Sequence, residues 1–219
     1  MTEDEWLRTG DPAAMLVEIH RVATARKLRL FAAATARETL KANATPPRTP
    51  TANDPESRSF SLADAAVQEL ERVADGTGSD SRLRSVLEQL GRVRPKWVWT
   101  AVAVSSLADA ALRIPPSVRG LQSCLLGGGP VLLPRAADLL REVFGNLYRP
   151  PAFAPRWRTA DVTGLANGIY ADRAFDRLPL LADALMDAGC DDEPILTHCR
   201  SAGPHARGCW IVDLVLDKR

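Results

Sequence analysis

The residues best suited to chemistry lie close together near the C-terminus. The segment C-D-D-E-P-I-L-T-H-C-R-S-A-G-P-H-A-R-G-C runs from Cys190 to Cys209 and carries Cys190, His198, Cys199, His205 and Cys209. Thiolate and imidazole are the donors that zinc takes in tetrahedral sets, and short loops and helix ends can converge them. The H-x3-C spacing from His205 to Cys209 suits such a site. The segment lacks the C-x2-C pair that marks most zinc folds. His198 and Cys199 are adjacent, and on a helix their side chains diverge by about 100°, which disfavours joint ligation of one ion. Two readings therefore stand. In one, the cysteines pack as small apolar residues and the histidines hydrogen-bond a closing loop, with no cofactor. In the other, these five residues supply a zinc site. The metal-free closure is the expectation and zinc the alternative.

Other chemistry finds less support. His205 could activate Cys199 or Cys209 as a nucleophile, but no orienting third group carries a recognisable signature. Gly127-Gly128-Gly129-Pro130 lacks the Gly-Lys-Ser/Thr ending of a phosphate-binding loop and reads as a turn. The carboxylates Asp187, Asp191, Asp192 and Glu193 lie partly at a helix start, where they complement the helix dipole. Trp97, Trp99, Trp157 and Trp210 read as core or groove anchors, since no basic patch interleaves them. His20 reads as a surface or boundary residue. The catalytic assignment is accordingly none, and the chain leans away from an enzyme.

The elements that must position these residues are helical throughout. In residues 1–43, Asp11-Pro12 starts one helix and a second runs from Arg26 with Leu28, Phe31, Ala32, Thr35 and Leu40 as its stripe. Residues 44–60 are rich in Pro, Thr and Ser and read as a loop. In the middle region, 61–130, Ser61 caps a helix closing at Gly76, and 79–94 repeat the pattern through Leu83, Val86, Leu87 and Leu90. Lys96 to Ile114 is the most apolar helix candidate, with a strand possible in Trp97 to Val104. In residues 131–219, an amphipathic helix ends at Gly145-Asn146, and helices are expected at 159–172, 176–188 and 192–200. Trp210 to Leu216 fits helix or strand, and its helical surroundings favour helix. The fold class is all-α, one multi-helix domain. The N-terminal and C-terminal helices are expected to pack together with the middle as an insert, and helix pairs could stack as in a solenoid.

Composition narrows the function classes. With 28 basic and 27 acidic residues the net charge is +1, which argues against a dedicated nucleic-acid binder. No apolar run reaches the roughly 20 residues needed to span a bilayer. The acidic opening lacks the order of a signal peptide, so the expectation is a cytoplasmic protein with reduced cysteines.

Together the two ends of the chain resemble a large paralogous family of planctomycete bacteria. The resemblance is carried by EWLRTGDPAAML and RKLRLFAAA at one end, and by LLREVFGNLYRP and LADALMDAGCDDEPILTHCRSAGPHARGCWIVDLVL at the other. That family has no assigned activity and implies a bacterial cytoplasmic protein without adding a substrate. Its members often carry cysteines directly after the R-K-L-R-L-F block, where this chain has Ala32 to Ala36 with Thr35. The functional expectation is a non-enzymatic interaction or regulatory module with a protein partner. Alternatives are a small zinc protein centred on the C-terminal segment, and an accessory factor in a nucleic-acid or defence system.

Overall fold

Helix starts fall where side-chain chemistry can satisfy free backbone N–H groups. In the computed structural model, which describes residues 1–20, 22–43, 55–92 and 133–218, Thr2 and Glu5 form a reciprocal capping box on α1 (Glu3–Arg8). The Asp11 carboxylate accepts from Ala13 and Ala14 N–H at the start of α2 (Pro12–Ile19), with Pro12 in the first turn as expected. The described residues contain helices and no strand, so the all-α expectation holds. Among them no helix is long and apolar enough to cross a membrane.

Helix α3 (Ala25–Asn43) is buried around most of its circumference, at Leu28, Leu30, Phe31, Ala32 to Ala36 and Leu40. It packs between α4 (Pro55–Ala74) on one side and α6 (Leu133–Phe144) on the other. Small residues on all three helices, including Ala36, Ala63, Ala66, Ala136 and Ala137, share this core and let the helix axes approach. Thr35 belongs to it by bonding its hydroxyl to the Phe31 carbonyl at 2.9 Å. The stretch directly after the R-K-L-R-L-F block is therefore packing material here. Helix α5 (Asp80–Arg92) lies on α4 and buries Leu83 and Leu90.

Two expectations need correction. The helix expected to start at Ser61 begins at Pro55: proline is tolerated in a first turn, and Ser57 and Ser59 are buried once the segment docks. Residues 61–92 are also no insert, because α4 runs along α3 and Asp75, directly after its last residue, reaches the seam described below. The Lys96–Ile114 helix, the Gly127–Pro130 turn, Trp97, Trp99, Cys124 and residues 44–54 lie outside the described residues.

The C-terminal helices form a second core. After a 3-10 turn (Pro155–Trp157) come α7 (Ala160–Asp172), capped by Thr159, a second 3-10 turn (Phe175–Arg177) and α8 (Leu178–Asp187). Asp192 caps α9 (Glu193–Arg200), and α10 (Trp210–Val215) resolves the final segment as helix. Trp157, Ile169, Leu181, Ile195, Cys199 and Val212 lie in this core. Helix α10 returns to pack on α7, and α6 of the first core also touches it. A solenoid repeat contacts only its neighbours, so this closed arrangement is not solenoid-like among the described residues.

The seam between the cores is polar and buried. Asp213 of α10 receives Arg26 at 2.8 and 2.9 Å and Lys27 at 2.6 Å. Arg26 also reaches Asp75 at 3.1 Å and donates to the Tyr170 hydroxyl at 2.8 Å. That hydroxyl in turn donates to Asp75 at 2.6 Å. Lys27 adds the Val143 and Gly208 carbonyls at 2.8 and 3.1 Å. These contacts fasten α10, and the loop before it, against α3 and the end of α6.

Candidate metal centre

Four elements bring four donor groups to one point in the seam. Helix α6 buries Ala136, Leu139, Leu140 and Val143, and Glu142 stands one turn on from Leu139, at the edge of that apolar face. Its carboxylate is 3% exposed. Asp192 starts α9 so that its final turn presents His198. The loop 201–208 supplies His205, and Cys209 sits at the N-terminus of α10. The ligand atoms of Glu142, His198, His205 and Cys209 all lie within 4.8 Å of one another.

Three of the six separations between donor atoms are close to those around a single zinc ion. Donors placed 2.0–2.3 Å from a zinc ion stand about 3.3–3.8 Å apart. Here His198 Nε2 is 3.2 Å from Glu142 Oε2 and 3.3 Å from Cys209 Sγ, and His205 Nδ1 is 3.2 Å from Glu142 Oε2. Outer contacts orient two of the four donors, Glu142 and His205. Glu142 Oε1 accepts from the Ala206 N–H at 3.2 Å. His205 Nε2 lies 3.1 Å from the Ser201 carbonyl, an acceptor only, so this nitrogen carries a proton and leaves Nδ1 for the cluster.

His198 is oriented differently. The Trp210 indole N–H donates to His198 Nδ1 at 3.1 Å, and indole nitrogen cannot accept. The proton of a neutral His198 therefore sits on Nε2 and points at Glu142 and Cys209. For His198 to ligate through Nε2, the proton must move to Nδ1, where it would face the indole N–H. Gly145 lets Trp210 lie this close: its φ is +68°, and a Cβ there would come 3.2 Å from the indole ring. The arrangement thus offers three preset donors and a fourth that is gated by Trp210.

The electrostatics follow from burial and pairing. Burial pushes the Glu142 carboxyl up, but hydrogen bonds and charge from His198 and His205 outweigh it and hold it below its usual value. Burial lowers His205, while Glu142 and the Ser201 carbonyl more than compensate and raise it. At pH below the raised His205 value and above the lowered Glu142 value, the two pair as imidazolium and carboxylate at 3.2 Å. Burial lifts the Cys209 thiol well above its usual range, with Glu142 adding to the rise.

Of the five residues singled out in the sequence, His198, His205 and Cys209 come together, whereas Cys190 and Cys199 are not part of the group. Both are buried in the C-terminal core. The divergence of neighbouring side chains on a helix explains this, as His198 faces the seam and Cys199 the core. Burial raises Cys190, and burial with Glu142 pushes Cys199 up to about 12. All three described cysteines are free. The thiolate is the reactive form of cysteine, and burial favours the protonated thiol at Cys190, Cys199 and Cys209. Asp192 is an N-cap, and Asp187, Asp191 and Glu193 are exposed. His20 is exposed and Trp157 buried, as expected.

Glu142 is the residue that sequence reasoning missed. It lies 56 positions before His198 by number, outside any local motif. The available signal was a carboxylate in register with Leu139 on an otherwise amphipathic helix. Comparison of the chain with protein-family models, with curated proteins and with solved structures gives no match.

Proposed function

We propose that this chain is a small metal-binding protein in which Glu142, His205 and Cys209, joined by His198, hold one zinc ion as a clasp between the two helical cores. The observation that carries the reading is the convergence of four donors from α6, α9, the 201–208 loop and α10 within 4.8 Å. A mixed O, N, N, S set suits zinc better than hard cations such as magnesium or calcium, which take oxygen ligands. Burial of the donors suits a structural ion, since catalytic sites keep an open position. A bound cation would also remove the proton from Cys209, where burial alone retains it.

The role that follows is non-catalytic. By binding only the folded state, the ion stabilises the seam by mass action and fixes the 201–208 loop and α10 on the surface of α6. A regulatory or protein-interaction role would use the surface held rigid in this way, and the bacterial setting rests on the resemblance of the two ends of the chain. The test is metal content of protein purified without an affinity tag. Wild type is expected to carry one zinc per chain, and Glu142→Gln and Cys209→Ser to lose it. A folded wild type with no more metal than these variants would overturn the reading.

A further inference from the structure

The four donors of the cluster are sealed to different degrees. Cys209 is fully buried, and the Glu142 and His205 side chains are 3% and 9% exposed. His198 is the most open of the four, at 17%. Its ring forms part of the wall of a groove of about 650 Å³, lined also by Trp6 on α1, by Pro150 and Pro151, by Pro194 on α9 and by Trp210 on α10.

The two nitrogens of that ring face different neighbours. Nδ1 accepts from the indole N–H of Trp210, a residue of the groove wall, at 3.1 Å. Nε2 lies 3.2 Å from Glu142 Oε2 and 3.3 Å from Cys209 Sγ, at the point where the donors converge. One imidazole ring therefore stands between the groove and the donor point. His205 also reaches a cavity, a smaller one of about 230 Å³. Its ring is tied at both nitrogens, to Glu142 at 3.2 Å and to the Ser201 carbonyl of its own loop at 3.1 Å. The ring contacts of His198 are instead to side chains, which can follow a rotation.

We propose that zinc enters and leaves the cluster through the groove beside Trp6 and Trp210, with the His198 ring turning aside to let it pass. A buried metal site needs an entry path as well as its ligands, and this inference rests on the metal reading. His198 is then the last ligand to close on the ion and the first to release it. Whatever fills the groove governs the speed of metal exchange and leaves the affinity alone.

The test follows, by stopped flow, zinc capture by full-length metal-free protein and zinc release to excess chelator. Ala152 and Thr197 are exposed residues of the groove wall. Ala152→Trp and, on α9, Thr197→Trp place an indole in the groove and should slow capture and release alike, by about tenfold, with equilibrium affinity unchanged. Lys41→Trp alters a 65% exposed side chain on the smaller cavity and should leave both rates as in wild type. Wild-type rates in both groove variants would overturn the inference, as would slowing by Lys41→Trp alone. A groove variant that changes release without changing capture would also count against it, since a blocked path acts on both directions. A wild type that binds no zinc would overturn the metal reading and the path together. Zinc bound at wild-type affinity and exchanged at wild-type rates in the groove variants would overturn the path alone.

Discussion

Replacing Asp213 should be among the most damaging single changes in the described residues, because this carboxylate is 3% exposed and holds two cations at once. Removing one member of a buried ion pair costs roughly 3–5 kcal/mol when its partner is left uncompensated. Here the partners are not wholly abandoned. Arg26 keeps Asp75 and Tyr170, and Lys27 keeps two backbone carbonyls. Asp213→Ala should therefore sit at the low end, about 3 kcal/mol. Asp213→Asn retains an acceptor oxygen and loses the charge, so about 1.5 kcal/mol is expected from the difference between charged and neutral hydrogen bonds. For a chain of this length, 3 kcal/mol lowers Tm by about 6–12 °C. Urea unfolding measures the change as a shift in midpoint at constant slope. The joint replacement Arg26→Met with Asp213→Leu should recover only part of the loss, since Lys27 still loses Asp213 and Asp75 loses Arg26. A loss below about 1 kcal/mol for Asp213→Ala, or Asn as harmful as Ala, would refute the view that this network pins α10.

Three further outcomes follow from the candidate metal centre. Cys209→Ser should lower zinc affinity at least tenfold by competitive chelation, whereas Cys190→Ala and Cys199→Ala should leave affinity unchanged and cost stability alone, about 1 kcal/mol each for a lost core side chain. Trp210→Phe removes the donor that opposes ligation by His198, so zinc binding should stay equal or tighten; a marked weakening would show that the indole supports the site instead. For metal-free protein, raised His205 stabilises below its ordinary value of 6.5 and loses that contribution as pH rises through the folded value. Lowered Glu142 stabilises above its ordinary value of 4.5 and loses that contribution as pH falls. The pair thus contributes most between those two values, a feature that Glu142→Gln should flatten in denaturation profiles. Zinc affinity should instead climb with pH, because His205 and Cys209 must shed protons to ligate.

Much of the fold was legible locally. Thr159, Asp11 and Asp192 cap helices because short oxygen side chains near a helix start reach free N–H groups. The start of α4 was not legible, because the burial that carries Ser57 and Ser59 into a helix comes from packing on α3. The site was half legible. His198, His205 and Cys209 lie close in sequence, so their convergence could be suspected from spacing. Glu142 arrives from another core, and only the seam between α6 and α10 brings it in. The same holds for the Arg26–Asp213 pair, whose members are separated by nearly the whole chain. The segment from Cys190 to Trp210 does close the structure, as its pattern suggested, and the histidines make the hydrogen bonds expected of a closure. What the tertiary structure adds is a carboxylate, Glu142, beside the same three side chains.

The most direct measurement is a crystal structure with anomalous data collected on both sides of the zinc absorption edge, from protein grown with zinc and purified without a tag. One strong peak is expected, bonded to Glu142 Oε2, His205 Nδ1 and Cys209 Sγ at about 2.0–2.3 Å, with His198 as the fourth ligand and the Trp210 indole turned from its Nδ1. An occupied hydrogen-bond network at these four residues with no anomalous peak would contradict the zinc reading.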